Sequence, residues 1–517
     1  MSEHILTVAV VGMGPTGVAA TAALADAVRA SDLSAPLRLV LIDPEPVWGP
    51  GTAFTTPLPA HVMNMRSVTL SLDAQRPGDF ATWAEERGCH DEYPARRVFG
   101  EYASTVVRRA VAMHAALGNT IDAVHDRVTD IFPEEDRLCL LTSGGVVAAD
   151  AVLMCVGEGG EGAFADFGGM RGFIPGLWAT EQIASIPRQT KVAVAGTSLS
   201  AVDVVGQLRA QGHEGPIYAC ARTRGLPKVQ GPREGYTMRT LTDEWRSRHC
   251  ATSDALPIAV VARGLRDELD HAIGRPYDPS RVDPREIFSR RDRQARSALP
   301  ELAVLSESIT QANTGNHWAS VMEALGEMTP SVWHAIAMED RAQFLRARYG
   351  IWSEYRHPIP LQNAEMLRDA MTDGQLTVHK GVQSVRPYGS GWRTTTAGTD
   401  ITSDYLVDVT GFHLPRRLNR HKLLSSMLDR QMLSPHPLGG VRVDIDTCRV
   451  QSPVGAPTLA LYVAGALTVG THLYTNALET NVANATRAAH DLVHALTAAN
   501  PLRRERSGHE RAPVRYA

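Results

Sequence analysis

The sequence GMGPTG at residues 12–17 restricts the possible folds of this chain more than any other feature. It follows an apolar, β-branched run (ILTVAVV, residues 5–11), which is typical of a strand buried on both faces of a parallel sheet. The alanine-rich stretch VAATAALADAVRA then predicts a helix, and the run LRLVLID predicts a second strand that ends at Asp43. The order of strand, glycine-rich turn, helix and strand predicts a βαβ unit at the start of the first domain.

The spacing of the three glycines favours a dinucleotide-binding turn. Gly12 permits the tight turn, Gly14 lets a pyrophosphate approach the backbone, and Gly17 allows the helix to pack closely on the strand. The helix N-terminus offers free N–H groups to the phosphates, and Asp43 stands where a carboxylate holds ribose hydroxyls. The predicted contacts of this dinucleotide are Gly12, Gly14, Pro15, Thr16, Gly17, Asp43 and Pro44.

The same plan recurs from residue 191, where a strand (KVAVAG) precedes GTSLSA, a helix over about 201–211 and a strand (PIYACA). Serine and alanine replace two of the glycines, but both are small enough to preserve close approach. Arg222 and Arg224 follow the second strand. An arginine at this place can bind the 2′-phosphate of NADPH, so it favours NADPH over NADH. The alternative is that they lie in a solvated loop of an arginine-rich chain. The predicted NADPH contacts are Gly196, Thr197, Ser198, Leu199, Ser200, Arg222 and Arg224.

Two nucleotide folds in one chain, the first at its start, imply FAD together with NAD(P)H. Residues 128–157 and 382–411 share a plan of strand, turn, strand and turn, with Asp150 and Asp404 each seven residues before a glycine. These segments are expected to mark the two crossings between the domains. The run TLALYVAGALTVG predicts a last strand, and residues 465–479 after it are expected to lie along the flavin. Three further flavin contacts are therefore predicted at Gly411, Gly465 and Asn476.

The predicted fold is α/β, with two Rossmann-like dinucleotide-binding domains, the NAD(P)H domain inserted into the FAD domain, and a helical insertion. Helical patterns in residues 231–330 predict a lid that selects the substrate, and the alternative is a dimerisation arm, which would make the protein a homo-oligomer. The predicted segments are the FAD domain (1–165 and 381–497), the NAD(P)H domain (166–230 and 331–380), the helical insertion (231–330) and a flexible tail (498–517).

Composition excludes several classes of function. The 517 residues include 52 basic and 56 acidic side chains, so neither nucleic acid nor a membrane surface is an expected partner. No run of 18 apolar residues and no signal peptide is visible. The six cysteines form no CxxC pair and no cluster with histidine, which predicts reduced thiols in a cytoplasmic protein without a metal site. The lack of CxxC also excludes disulfide-reductase chemistry.

Several blocks of the sequence carry a family resemblance. They are GMGPTGVAATAAL, GPGTAFTTPLPAHVMNM, PGDFATWAEERG, YPARRVFGEYASTVV, KVAVAGTSLSAVDVV, ARTRGLPKV, ARYGIWSEYRHPIP and VDVTGFHLP. In these blocks the chain resembles the flavin-dependent N-hydroxylating monooxygenases, and more closely a bacterial group of FAD/NAD(P)-binding proteins. The resemblance covers most of residues 5–230 and 340–495. The F-x-G-x-x-x-H block of Baeyer–Villiger and dimethylaniline-type monooxygenases is missing from GEGGEGAFADFGGMRGFIPGLWAT, which argues against those classes.

The resemblance implies an NADPH-dependent flavin monooxygenase that acts through a flavin C4a-hydroperoxide. Its partners would be O2 and a small, amino-acid-like amine, and its setting would be natural-product biosynthesis. Alternatives from other classes are an oxidoreductase that moves hydride between NAD(P)H and a substrate without oxygen, and a nucleotide-binding sensor without turnover. The weakened second glycine motif is the only feature that favours the sensor.

Candidate residues for this chemistry fall in four places. In the resembling families the stretch HVMNMRS lies beside the isoalloxazine, which implies flavin contacts from His61, Asn64 and Met65. Asn64, Arg66 and His357 are the predicted catalytic residues, with His357 as a general base near neutral pH. Arg97, Arg356 and His472 are the predicted substrate-binding residues, since an arginine can bind a substrate anion through two hydrogen bonds. The alternatives are ordinary packing, structural ion pairs, and a turn at His357 before Pro358.

Overall fold

The structure is a computed structural model that describes residues 5–33, 35–157, 162–232, 235–250, 255–278, 280–315, 317–410, 418–452 and 460–499. Its strands are β1 (Thr7–Val11), β2 (Arg38–Ile42), β3 (Thr120–Val124), β4 (Asp130–Glu134), β5 (Arg137–Thr142), β6 (Gly145–Ala149), β7 (Ala151–Met154), β8 (Phe173–Ile174), β9 (Val192–Ala195), β10 (Ile217–Ala221), β11 (Leu376–Lys380), β12 (Val382–Tyr388), β13 (Gly391–Thr396), β14 (Asp400–Ser403), β15 (Tyr405–Asp408) and β16 (Ala460–Val463). Its helices are α1 (Pro15–Ala30), α2 (Gly51–Phe54), α3 (Asp79–Glu85), α4 (Arg96–Ala116), α5 (Thr180–Ala184), α6 (Leu199–Ala210), α7 (Asp243–Cys250), α8 (Ile258–Ile273), α9 (Arg290–Ser297), α10 (Glu301–Thr314), α11 (His317–Ala335), α12 (Met338–Ala347), α13 (Tyr349–Arg356), α14 (Leu361–Thr372), α15 (Lys422–Asp429), α16 (Val469–His472) and α17 (Leu478–Ala499).

The first parallel sheet contains the strand of the first glycine motif. Its strand order is β16-β7-β1-β2-β3, and every neighbouring pair runs parallel. Val8 and Val10 face a core formed with α1, α4 and α17, while Ala9 and Val11 face β4, β5 and α15. Both faces of the sheet are therefore covered, which explains why its strands appear in the sequence as continuous apolar runs.

The second parallel sheet contains the strand of the second glycine motif, in the order β11-β10-β9-β15-β8. Val192 and Val194 of β9 pack with α6, α10 and α14 on one face. Ala193 and Ala195 pack on the other face, in a small core with Trp392 of β13. The predicted α/β fold with two dinucleotide-binding units is confirmed by these two sheets.

The two similar segments form equivalent three-stranded antiparallel sheets, β4-β5-β6 and β12-β13-β14. The aspartate that follows the third strand of each antiparallel sheet ties it to the strand that precedes a glycine motif. The Thr7 N–H donates to Asp150 Oδ2 at 2.7 Å, and the Lys191 N–H donates to Asp404 Oδ2 at 2.8 Å. Each aspartate thus links its antiparallel sheet to the dinucleotide fold that contains the bonded strand.

Helices α7, α8 and α11 of the insertion share one hydrophobic core, which continues past the predicted boundary at residue 330, whereas α10 packs in the core of the second sheet. Phe344 of α12 and Trp352 of α13 pack in the helical core with residues of α8 and α11. Leu473, Tyr474 and Ala477, which lie between α16 and α17, belong to the same core. After α10, the chain returns to the second sheet with α14 and β11, while the aromatic side chains of α12 and α13 belong to the helical core. In the described ranges, each helix is either too short or too polar to cross a membrane.

Candidate active site between the two nucleotide folds

The first glycine motif has the geometry of a phosphate-binding turn. The φ of Gly12 is +94°, and a Cβ there would lie 2.4 Å from the Cys155 carbonyl oxygen. A Cβ on Gly17 would lie 1.9 Å from the Gly12 carbonyl oxygen, so the helix can approach the strand only with glycine at this position. The nearest atom to a Cβ on Gly14 is 3.5 Å away, which leaves the N-terminus of α1 open to a ligand. These glycines fit a bound dinucleotide.

Asp43 ends β2 beside this turn, as predicted. Its Oδ2 accepts a hydrogen bond from the Met13 N–H at 2.6 Å, and its Oδ1 accepts one from the Glu45 N–H at 2.9 Å. Each oxygen keeps a second lone pair, which is available to a ribose hydroxyl. Pro44 next to it is exposed. Asp43 therefore orients the turn, and its carboxylate can still accept a further hydrogen bond.

The last strand of the first sheet brings Gly465 to the same edge. The φ of Gly465 is +90°, and a Cβ there would lie 3.3 Å from Thr16 Oγ1 at the start of α1. This confirms that the segment after β16 returns to the first glycine turn. The third predicted flavin contact of the C-terminal half, Gly411, lies outside the described residues.

The second glycine motif also forms a turn with little room for a side chain. The φ of Gly196 is +149°, and a Cβ there would lie 2.9 Å from Val409 Cγ2. Thr197 is fully buried, and its hydroxyl donates to the Arg224 carbonyl at 3.4 Å. Ser198 precedes α6 without a side-chain cap, so its hydroxyl is free to meet a phosphate. Leu199 packs partly into the core below, and Ser200 is half-buried.

The two arginines after β10 face different surroundings. Arg222 is exposed, and its guanidinium makes no hydrogen bond or ion pair to the part of the chain that the structure describes. Arg224 is half-buried and close enough to His357 to lower the pKa of that imidazole. Arg222 thus lies exposed just after β10, whereas Arg224 faces the junction of the domains.

The stretch at residues 61–67 lies at the contact between the two domains. His61 is fully buried, its Nδ1 pairs with Thr56 Oγ1 at 2.8 Å, and its ring stands edge-on to Trp178. Burial, together with Arg96, lowers the pKa of His61 to about 4. His61 is packed in the interior, where it supports the segment. The predicted direct contact of His61 with the flavin therefore does not fit the structure.

Three other residues of this stretch were predicted to contact the flavin or to act in catalysis. Asn64 and Met65 are half-buried, and Met65 packs against the core of the first domain. Arg66 Nε lies 2.6 Å from Glu92 Oε1 at the protein surface. Because this ion pair holds the Arg66 guanidinium, the predicted catalytic role of Arg66 finds no support in the structure.

His357 lies at the junction of both nucleotide folds with the helical insertion. Its imidazole stacks on Tyr474 at 5.2 Å, and its Nε2 lies 3.3 Å from Nδ2 of Asn476, whose side chain is exposed. Burial, Arg356 and Arg224 lower the pKa of His357 to about 3. The predicted general base near neutral pH is therefore wrong, because a group with this pKa stays neutral and binds a proton too weakly.

Arg356 also packs on the Tyr474 ring, with its guanidinium carbon 3.9 Å from the ring centroid. Its Nη2 lies 3.6 Å from Glu479 Oε1, and its Nε is buried without a hydrogen-bond partner. Just before this tyrosine, Leu473 has a φ of +59°, and the Tyr474 N–H donates to the His472 carbonyl at 2.6 Å. This is a γ-turn of the strained kind, which is favoured at functional sites.

The other two predicted substrate-binding residues have different surroundings. Arg97 is exposed, 3.5 Å from Glu101, in an open groove of about 860 Å³ that Trp83 and Pro360 also line. His472 is fully buried, its Nε2 lies 3.3 Å from the Ile445 carbonyl, and burial lowers its pKa to about 4. Arg97 lines this groove together with residues of both domains, so its role in substrate binding stays a prediction, whereas the buried His472 has no surface for a substrate contact.

The structure also shows contacts that the sequence did not indicate. Arg96 Nη2 lies 2.6 Å from Asp203 Oδ2, and this nearly buried ion pair joins α4 of the first domain to α6 of the second. Lys228 Nζ lies 2.8 Å from Glu354 Oε2, which joins the loop after β10 to α13. In the sequence, the adjacent arginines of YPARRVF are the one pattern that could have indicated Arg96. No sequence pattern indicates the other contacts. Within the described ranges, no group of His, Cys, Asp and Glu side chains is arranged to hold a metal ion.

Comparisons with known proteins agree with this geometry. Residues 9–159 match the model of an FAD-NAD(P)-binding family, and a sequence search of curated proteins found no match. Among solved structures, the chain is similar to ornithine hydroxylase from Pseudomonas aeruginosa, with 14% identity over 95% of this chain and 100% of that chain and a TM-score of 0.56. It is also similar to ornithine N-hydroxylase from Kutzneria sp. 744, in a complex with reduced FAD, NADP+ and L-ornithine (16% identity, 95% and 100% coverage, TM-score 0.54). A third is L-lysine 6-monooxygenase from Pseudomonas syringae (16% identity, 95% and 100% coverage, TM-score 0.58).

These findings support the predicted cofactors and confirm the predicted resemblance at the level of the fold. At such low identities a structural match does not extend to the substrate. The chain has the fold of the amino-acid N-hydroxylases, and its residues 9–159 carry the sequence pattern of an FAD-NAD(P)-binding domain.

Proposed function

We propose that this chain is an FAD-dependent, NADPH-using monooxygenase that oxygenates the amine nitrogen of a small, amino-acid-like metabolite. Two dinucleotide-binding folds open onto one junction, where Asn476 of the first domain meets His357 at the edge of the second. The similarity in fold to ornithine and lysine hydroxylases supports the amine as the reacting group. Bound FAD would supply the redox chemistry by accepting hydride from NADPH and activating oxygen.

The observation that carries the proposal is the electrostatic environment of His357. Burial and the two guanidinium groups of Arg356 and Arg224 disfavour a positive charge at this imidazole so strongly that its pKa falls to about 3. The same environment disfavours an ammonium ion beside it. An amine held there keeps its lone pair, which it needs in order to attack an oxygen atom.

The residues at the junction have different roles in this proposal. Neutral His357 and the exposed amide of Asn476 can accept and donate hydrogen bonds, so they orient an uncharged amine. Arg224 and Arg356 offer guanidinium groups to a substrate carboxylate. Arg222 holds the 2′-phosphate of NADPH, and Asp43 holds a ribose of FAD. The helical insertion closes the junction on one side and excludes water from it.

The test is a coupled assay with the purified, FAD-loaded protein. L-Ornithine, L-lysine and a panel of other amines are each incubated with NADPH in air, and NADPH oxidation, hydrogen peroxide and hydroxylamine are measured. We expect one amine to give hydroxylamine in proportion to the NADPH consumed. Flavin reduction by NADPH without any oxygenated product would favour an oxidoreductase that does not use oxygen. If neither NADPH nor NADH reduces the flavin, the nucleotide-binding sensor without turnover would be the remaining hypothesis.

A role in natural-product biosynthesis, a cytoplasmic location and a homo-oligomeric state stay predictions. A small molecule remains the expected partner, in preference to nucleic acid or a membrane surface.

A further inference from the structure

Gln230 occupies a buried position in the loop that follows β10, and its side-chain amide touches three separate segments. Only 4% of the residue is exposed. Its Nε2 donates to the Asn64 carbonyl and, at 3.1 Å, to the Pro358 carbonyl. Its Oε1 accepts a hydrogen bond from the Tyr93 hydroxyl at 2.8 Å. Both N–H groups of one amide therefore join the stretch that contains Asn64 to the stretch that contains His357.

The backbone that carries Gln230 is itself held on the second domain. Its N–H donates to the Ile359 carbonyl at 2.8 Å, and the Ile359 N–H donates to the Lys228 carbonyl at 2.8 Å. The Lys228 ammonium forms the buried ion pair with Glu354 described above. The base of the side chain is thus fixed, and the amide at its end reaches across to the first domain.

We propose that Gln230 is a positioning residue that sets the distance between the flavin-side stretch at residues 61–67 and the nicotinamide-side residue His357. The inference rests on the proposed function, in which NADPH and FAD meet between these two stretches. Hydride transfer depends steeply on the distance between donor and acceptor, so a shift of the two stretches would slow this step before it weakened NADPH binding.

The test is anaerobic flavin reduction by NADPH in the FAD-loaded Gln230→Met and Gln230→Glu variants. Methionine keeps the length of the side chain but donates no hydrogen bond, and glutamate places a carboxylate against two carbonyl oxygens. We expect the rate constant for flavin reduction to fall about tenfold to a hundredfold. The dissociation constant for NADPH should change much less, and the deuterium isotope effect with NADPH labelled at C4 should rise.

Two variants serve as controls. Gln207 is another buried glutamine, with 3% exposure, whose Nε2 donates to the Thr180 carbonyl at 2.9 Å inside the second domain. Gln207→Met should lower the melting temperature without slowing reduction. Tyr93→Phe removes the hydrogen bond to Oε1 but keeps both N–H bonds of Gln230, and it should also be reduced at a rate close to that of the wild type.

If both Gln230 variants lose only thermal stability and are reduced as fast as the wild type, the positioning role is wrong and the proposed function stands. If NADPH fails to reduce the flavin of the wild-type protein itself, both proposals are overturned.

Discussion

At the scale of single residues, the two arginines after β10 have different surroundings, although the sequence predicted an NADPH contact for both. Arg222 is exposed at the end of the strand, whereas Arg224 faces His357. Replacing Arg222 by alanine removes a charge-assisted hydrogen bond to the 2′-phosphate, so the KM for NADPH should rise about tenfold to a hundredfold. The KM for NADH, which lacks that phosphate, should hardly change. Steady-state kinetics with both nucleotides would measure the effect.

Arg290 offers a matched control for this substitution, since it is an exposed arginine of the helical insertion. Arg290→Ala should leave both KM values close to those of the wild type. Equal increases for NADPH and NADH in Arg222→Ala would show that Arg222 does not recognise the phosphate.

At the scale of elements, Asp150 and Asp404 explain why two distant segments share one plan. Asp150 accepts the Thr7 N–H and also lies 3.6 Å from Arg137 Nε. Asp150→Ala leaves the first N–H of β1 without its partner, so the free energy of unfolding should fall by about 1–3 kcal/mol. Urea unfolding measures this loss. Exposed Asp400, in the equivalent sheet of the second domain, provides the control, because Asp400→Ala should change the midpoint little.

The elements that depend on local pattern were predictable from the sequence. Apolar runs identified β1 and β9, and the helix expected over 201–211 is α6, at Leu199–Ala210. The end of the insertion was not predictable in this way, because its core is completed by Tyr474 from a distant part of the chain. The sequence shows the basic neighbours of His357 but not its burial, which is the main cause of its lowered pKa. Gln230 has no signal at all, since its partners Asn64 and Pro358 are 166 and 128 positions away.

At the scale of the whole molecule, buried histidines make stability depend on pH. The pKa values of His61 and His472 are lowered to about 4 and that of His357 to about 3, from an ordinary value of 6.5. Between these values and 6.5 the unfolded chain binds more protons than the folded one, so stability falls as the pH falls. Each histidine should contribute a slope of about 1.4 kcal/mol per pH unit in that window.

Urea unfolding of the FAD-loaded protein at pH 7.5, 6.5 and 5.5 would test this dependence. The His61→Gln variant should take up one proton fewer on unfolding. Its free energy of unfolding should therefore decrease less steeply as the pH falls. His90→Gln, at an exposed position, should leave the slope unchanged. A wild-type protein that is equally stable at all three values would contradict the burial of these neutral histidines.

The strand order of the first sheet also determines when this protein can acquire its flavin. β1 and β2 are synthesised first, but β16 and α17, which complete the same sheet and cover its face, come from residues 460–499. The second sheet needs nothing beyond β15, which ends at Asp408. During translation the inserted domain can therefore finish before the domain that contains the chain's first strand. Until α17 leaves the ribosome, the apolar face of α1 that packs against it stays uncovered.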